Sequence, residues 1–227
     1  MRGAPLVLLP GLLCMPDVWT DVVDLMDGNV VVPDIPVDDD IDDIAGRLLA
    51  DLPDRFALAG LSMGGYIALA MMARAPERIL GLGLVDTSAR ADTEAQAQTR
   101  RDGVAKAQAG GFAAMLPKLA TFLLHPEADP AVQARVVAMG AAVGVDTFAR
   151  HQAAIAARPD RRAMLGGIAC PATVLVGEAD RLTTPELARE MVAAIPGATL
   201  QVIAGAGHVT PLERPVQVAE ALSRWRQ

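Results

Sequence analysis

Positive charge is in short supply along this chain: 20 lysines and arginines stand against 27 aspartates and glutamates, a formal charge of −7. No basic face is left over to neutralise phosphates, which excludes nucleic acid as a partner. Cysteine is nearly absent. Cys14 and Cys170 lack metal-ligand spacing and a disulfide-dense context, which fits a reducing, cytoplasmic setting in which each is a small buried hydrophobe. No unbroken apolar run reaches the roughly 20 residues that a membrane-spanning helix needs, so no membrane is expected. The N-terminus places one positive charge before an apolar run, but Pro10-Gly11 interrupts it and no small-residue cleavage site follows. The segment reads as a buried strand entering a turn, not as a signal peptide. Fixed-period repeats and low-complexity linkers are missing too.

What remains is 52% hydrophobic and 21% charged residues in a chain of 227, enough to bury one sizeable core and to carry an insertion. Short apolar runs at residues 6–9, 30–32, 56–61, 79–85, 173–176 and 199–203 predict strands. Between them, helical spacing marks residues 15–26, 41–51, 63–75, 185–195 and 215–225. This alternation predicts an α/β fold, a mostly parallel sheet flanked by helices. It fails between Ser88 and Leu165, where alanine-rich sequence runs on without a strand. Residues 1–88 and 165–227 therefore form the expected core and 89–164 a helical cap insertion. Gly110-Gly111, Pro117, Pro126 and Pro130 are expected to break the cap into short helices, and Arg158-Pro159-Asp160 marks the return to the core.

An acidic cluster, Asp38-Asp39-Asp40 with Asp42-Asp43, invites comparison with a metal site. Consecutive carboxylates cannot all converge on one ion, however, and acidic residues at a helix start are favoured by its dipole. Helix capping and solvation are the preferred reading, and no metal is expected.

Chemistry concentrates at Gly60-Leu61-Ser62-Met63-Gly64, a G-x-S-x-G pattern that follows a predicted strand and opens a helix. A serine presented clear of the sheet on so tight a turn needs flanking residues without side chains, which Gly60 and Gly64 supply. Small residues that let a helix pack closely on a strand, with Ser62 as N-cap, are the competing explanation. Serine needs a base, and histidine is scarce: His125, His151 and His208 are all there are. His208 lies in a small-residue loop after the last strand, where the ends of parallel strands converge, whereas His125 and His151 fall in the insertion. A carboxylate must then orient the histidine. Asp180, after the strand at 173–176, is preferred. Asp86, after the strand at 79–85, is the alternative acid. Glu178 reads as a surface ion-pair residue, and Thr183, Thr184, Pro185 and Glu186 as the cap and first turn of the next helix. The oxyanion donors expected are the backbone N–H groups of Met63 and Leu12. Leu12, Leu13, Met15 and Met63 are placed around an apolar acyl pocket, with core packing an equal use for Leu13 and Met15.

These segments resemble the α/β-hydrolase superfamily, in particular small esterase-like members with a helical cap. The resemblance rests on Leu8-Leu9-Pro10-Gly11-Leu12-Leu13-Cys14, Gly60-Leu61-Ser62-Met63-Gly64-Gly65, Gly177-Glu178-Ala179-Asp180 and Gly207-His208-Val209-Thr210-Pro211-Leu212-Glu213-Arg214-Pro215, in that order. Three departures stand out. Pro10-Gly11 replaces the His-Gly frequent in the family, the usual D-x-P-G-x-G-x-S stretch stops at Asp34-Ile35-Pro36, and the chain begins at what resembles the family's third strand. The resemblance implies a cofactor-free serine hydrolase that cleaves a small carboxylic ester through an acyl-enzyme on Ser62, its partners being a small acyl substrate and water. A lactonase, thioesterase or C–C bond hydrolase would use the same triad. A serine nucleophile argues against the epoxide hydrolases and dehalogenases of this fold, which use aspartate. A ligand-binding protein with little turnover is the reading from another class.

Overall fold

A computed structural model describes residues 4–224. Six strands form one sheet: β1 (Leu6–Leu9), β2 (Val30–Val31), β3 (Phe56–Leu61), β4 (Ile79–Val85), β5 (Ala172–Gly177) and β6 (Thr199–Ile203). All neighbours pair parallel in the order β2-β1-β3-β4-β5-β6. β1, β3 and β5 are buried along their whole length, which is why their sequences are continuous apolar runs and not alternating ones. The edge strand β6 is half-exposed and carries Thr199 and Gln201.

The helices are α1 (Thr20–Val23), α2 (Ile41–Asp51), α3 (Met63–Arg74), α4 (Glu94–Lys106), α5 (Phe112–Leu123), α6 (Pro130–Ala157), α7 (Pro185–Ala194), α8 (Thr210–Glu213) and α9 (Pro215–Ser223). Strand residues alternate between two cores, one per face of the sheet. Val7, Leu9 and Leu58 pack with α2, α3 and α7, while Leu6, Leu8 and Ala57 pack with Trp19, Val22 and the α9 residues Val218 and Leu222. Asp40 caps α2, its carboxylate accepting from the N–H groups of Asp42 (2.7 Å) and Asp43 (3.1 Å). The acidic cluster therefore starts a helix.

Helices α4–α6 lie between β4 and β5 and form the cap, with a small core of their own built on Leu116 and Phe148. Gly110 (φ 93°) separates α4 from α5, and Pro130 stands at the first turn of α6, where a missing N–H costs nothing. Pro117 departs from expectation. It lies inside α5, where the packing of neighbouring Leu116 and Ala120, both buried, outweighs the one backbone bond the ring removes. α6 is long because two helices run together across Gly144, whose φ of 81° and ψ of 165° suit glycine alone. By length and composition it is the one helix among the described residues able to cross a membrane, but this break interrupts it. Other boundaries shift. Residues 15–26 shrink to a 3₁₀ turn at Pro16–Trp19 followed by α1, leaving Leu25 exposed, β2 stops before Val32, and β5 gains Ala172 and Gly177. The last helix was expected to reach Trp225, which lies outside the described residues.

Arg78 fastens the end of α2 to the strand that leads to Ser62. Its guanidinium donates to the carbonyls of Leu49 (2.9 Å), Leu52 (2.9 Å), Pro53 (2.8 Å) and Asp54 (3.1 Å), and it lies over the Phe56 ring. Arg78→Ala is expected to lower the unfolding free energy by about 1.5–3 kcal/mol, the worth of hydrogen bonds to a charged donor. Urea titration followed by circular dichroism measures this, and a loss below ~0.5 kcal/mol would show the staple to be idle.

Candidate active site

The turn between β3 and α3 holds Ser62 at φ 52° and ψ −110°, a conformation an L-residue keeps only when its surroundings enforce it. Three bonds do so. The Ser62 N–H donates to the Val85 carbonyl (2.9 Å), and the Ser62 carbonyl accepts from the Gly65 N–H (2.9 Å) and the Thr87 hydroxyl (2.8 Å). The glycines answer to close approach. A Cβ on Gly60 would stand 2.1 Å from the Gly64 oxygen, and one on Gly64 only 2.4 Å from the Leu9 oxygen.

His208 reaches this serine from the loop after β6, with Nε2 2.9 Å from Ser62 Oγ. Its Nδ1 lies 2.8 Å from Asp180 Oδ2. Since Nε2 faces a hydroxyl that must donate to it, the proton of the neutral ring belongs on Nδ1. Thr183 completes the cluster: its hydroxyl donates to Asp180 Oδ2 (2.7 Å) and lies 3.1 Å from His208 Nδ1. The other Asp180 oxygen accepts the N–H groups of Leu182 (2.8 Å) and Thr183 (2.9 Å). Sequence assigned Thr183 to a helix cap, but the side chain turns to Asp180. A hydroxyl three residues after a candidate acid was the available signal.

Burial opposes charge on both partners, yet their attraction wins. Burial raises the Asp180 pKa, but His208 and the surrounding donors hold it below the ordinary carboxylate value. Burial likewise lowers the His208 pKa, but the Asp180 charge and hydrogen bond hold it above its ordinary 6.5. Asp86 takes a different place. Among the described residues it makes no hydrogen bond to His208 but joins the end of β5 to the start of α8, Oδ1 accepting the Gly177 N–H (2.9 Å) and Oδ2 the Thr210 N–H (3.0 Å) and hydroxyl (2.7 Å). Burial and then the nearby Asp180 charge push its pKa up to about 8. The environments of the two carboxylates thus diverge, with Asp180 ionised and Asp86 holding its proton further up the scale.

Other candidates find structural partners. Glu178 accepts the Gly205 N–H (3.1 Å) in place of an ion pair. His151 Nε2 meets the Pro36 carbonyl (2.9 Å) and ties α6 to the shortened Asp34-Ile35-Pro36 loop, while burial lowers its pKa. His125 turns inward by its backbone, its N–H donating to Glu213 Oε2 (2.7 Å). Glu213 Oε1 accepts the N–H groups of Gly207 (2.9 Å) and Val209 (3.3 Å), and the His208 N–H donates to the Leu123 carbonyl (2.7 Å). The cap is therefore sewn to the histidine loop through Glu213, a buried residue sequence analysis did not single out.

Ser62 and His208 open into a cavity of about 450 Å³ beneath the cap. Met115, Leu119 and Phe122 of α5 make an apolar wall, and Gln96, Thr99 and Arg100 of α4 with Gln152 of α6 a polar one. Leu12 lines the cavity as expected, but its expected companions do not. Met63 is buried in the core against the sheet, Met15 is exposed, and Leu13 (φ 59°) packs into the cap core beside Leu116 and Phe148. Cys14 also borders the cavity, where burial pushes its thiol pKa up to about 12 and keeps it protonated. Gly11 lies against the Ser62 turn, the position of a Cβ there being 3.5 Å from Ser62 Cβ.

A parallel sheet under a helical cap, with serine, histidine and carboxylate at its carboxyl edge, is the architecture of an α/β-type hydrolase. Residues 6–221 match the alpha/beta hydrolase family, and the chain belongs to it. It is 29% identical over 194 residues to the pimeloyl-[acyl-carrier protein] methyl ester esterase of Chromobacterium violaceum, across 81% of this chain and 75% of that protein. Among solved structures, a thermophilic esterase from Thermogutta terrifontis is similar with a TM-score of 0.92 and 28% identity, over 99% of this chain and 89% of that one. The enol-lactonase of Burkholderia xenovorans LB400 is similar with a TM-score of 0.89 and 25% identity, over 99% and 92%.

The close packing at the turn makes Gly64→Ala a severe change. Backbone atoms of Leu9 must move to admit the methyl group, so a loss of about 3 kcal/mol or more in stability is expected, measurable by thermal unfolding. An alanine variant of wild-type stability would show that the turn has slack.

Proposed function

We propose that the protein is a serine-dependent esterase acting on small carboxylic esters, with Ser62, His208 and Asp180 as its triad. The observation that carries this reading is the unbroken chain from Ser62 Oγ to His208 Nε2 (2.9 Å) and from His208 Nδ1 to Asp180 (2.8 Å), opening into the cavity beneath the cap. His208 takes the serine proton as Oγ attacks the ester carbonyl, and Asp180 stabilises the imidazolium that results. The backbone N–H groups of Leu12 and Met63 receive the oxyanion. Support for this comes from Met63 opening α3, where a helix's first N–H groups have no intrahelical acceptor, and from Gly11 lying against Ser62. His208 then protonates the leaving alcohol. Water, activated by the same histidine, releases the acid from Ser62. The esterases among its relatives favour an open-chain ester. The similarity to an enol-lactonase supports a second reading, a lactone substrate, in which the leaving oxygen stays tethered to the acyl group.

A fluorophosphonate probe should label the wild type and not Ser62→Ala, and p-nitrophenyl ester turnover in that variant should fall by about 10⁴- to 10⁶-fold. Labelling that survives the substitution would remove Ser62 from the mechanism. Asp180→Asn should lower kcat by about 10⁴-fold. Asp86→Asn, which sets an amide NH2 against an N–H group that the carboxylate accepts, should lower kcat less than Asp180→Asn does. The reverse ranking would transfer the acid's role to Asp86.

The base works only when neutral, and its pKa is raised. Activity is therefore expected to fall as pH drops through a midpoint above 6.5. A pH profile of kcat/KM tests this, and an acid limb centred below 6.5 would contradict it.

A further inference from the structure

The polar wall of the cavity holds more positive charge than its neighbours neutralise. Asp92, with 1% of its side chain exposed, is shared by two arginines, Arg158 at 7% and Arg100 at 19%. Arg158 donates to Asp92 (2.7 Å) and to the carbonyls of Ile155 (2.7 Å) and Arg90 (3.0 Å), with its guanidinium 4.1 Å from the centre of the Tyr66 ring. Arg100 sets Nε against Asp92 Oδ2 (2.5 Å) and Nη2 towards Oδ1 (3.4 Å), while Nη1 donates to Gln152 (2.8 Å). A guanidinium has five N–H donors, so one hydrogen on each terminal nitrogen of Arg100 has no partner among the described residues. Two cations around one carboxylate leave a net positive charge in a half-desolvated place, where a missing counter-ion matters more than at the surface. Of the two arginines, Arg100 is the one that borders the cavity, and apart from His208 it is the only basic side chain among the described residues doing so.

We infer that the substrate is an ester bearing one carboxylate away from its scissile carbonyl, and that Arg100 with Gln96 and Gln152 receives that carboxylate. The inference rests on the esterase reading of Ser62 and narrows its substrate class. A single carboxylate balances the surplus charge and can accept the spare guanidinium hydrogens as charge-assisted bonds. The α5 wall, being apolar, covers the intervening hydrocarbon. The cavity thus sorts a substrate by its two ends, carbonyl at Ser62 and anion at Arg100.

Two matched pairs of aryl esters test this, each corrected for spontaneous hydrolysis. One pair places the charge on the acyl side, mono-p-nitrophenyl adipate against its methyl-capped diester. The other places it on the alcohol side, the butyrate of 4-hydroxybenzoate against that of 4-hydroxybenzamide. The wild type should favour the anionic member of at least one pair by about 10-fold or more in kcat/KM. Arg100→Gln should bring that ratio close to 1, and Arg100→Lys, which keeps the charge paired with Asp92, should retain part of it. A wild-type ratio near 1 or below in both pairs overturns the inference, and so does a ratio that survives in Arg100→Gln. Turnover of the neutral esters with Ser62 labelled but no anion preference defeats this inference alone. Absence of turnover and of labelling defeats the esterase reading beneath it.

Discussion

A loop lying inside a protein must still pair its backbone N–H groups, and at the carboxyl edge of this sheet that requirement falls on carboxylates. Asp86, Asp180 and Glu213 are all buried, and between them they accept the N–H groups of Gly177, Thr210, Leu182, Thr183, Gly207, Val209 and His125. Left unpaired, each such group would cost about 1–3 kcal/mol. The arrangement of Ser62, His208 and Asp180 depends on this solution. Asp180 faces His208 because its other oxygen is anchored in its own loop, and the end of β5 and the start of α8 keep their spacing because Asp86 joins them.

The sheet was readable from sequence because burial on both faces leaves a continuous apolar run, and the same physics placed β1, β3 and β4 at their observed bounds. The serine turn was readable for a related reason. Gly60 and Gly64 are required by contacts of backbone with backbone, which any chain making this turn must satisfy. Thr183 was read as a helix cap although the acid it meets lies only three residues away, and Glu213 was passed over because its partners are backbone N–H groups, one of them on distant His125, which leave no periodic trace. Pro117 misled for the opposite reason: its local preference is strong, but packing on either side overrode it. Gly144 passed unnoticed within an alanine-rich stretch that otherwise favours helix.

The core and the cap divide the labour. Strand ends and buried carboxylates set the positions of Ser62, His208 and Asp180, all supplied by the sheet's connections. The cavity walls come largely from α4, α5 and α6, where side chains can differ without disturbing the sheet. The proposed triad and the walls of the proposed substrate pocket therefore belong to different parts of the molecule. Leu13, reaching from the loop after β1 into the cap core, and His151, reaching from α6 to the Pro36 carbonyl, join the two in addition to the seam at Glu213.

The seam at Glu213 restricts how that cavity can be entered. The His208 N–H is bonded to the Leu123 carbonyl, and a Cβ on Gly207 would stand 2.3 Å from the same oxygen, so the end of α5 rests directly on the loop that carries the histidine. A cap hinged to swing away as one piece would drag this loop along and carry His208 away from Ser62. A route to the cavity that leaves this seam intact lies at its rim, where the exposed side chains of Phe122 and Leu182 stand.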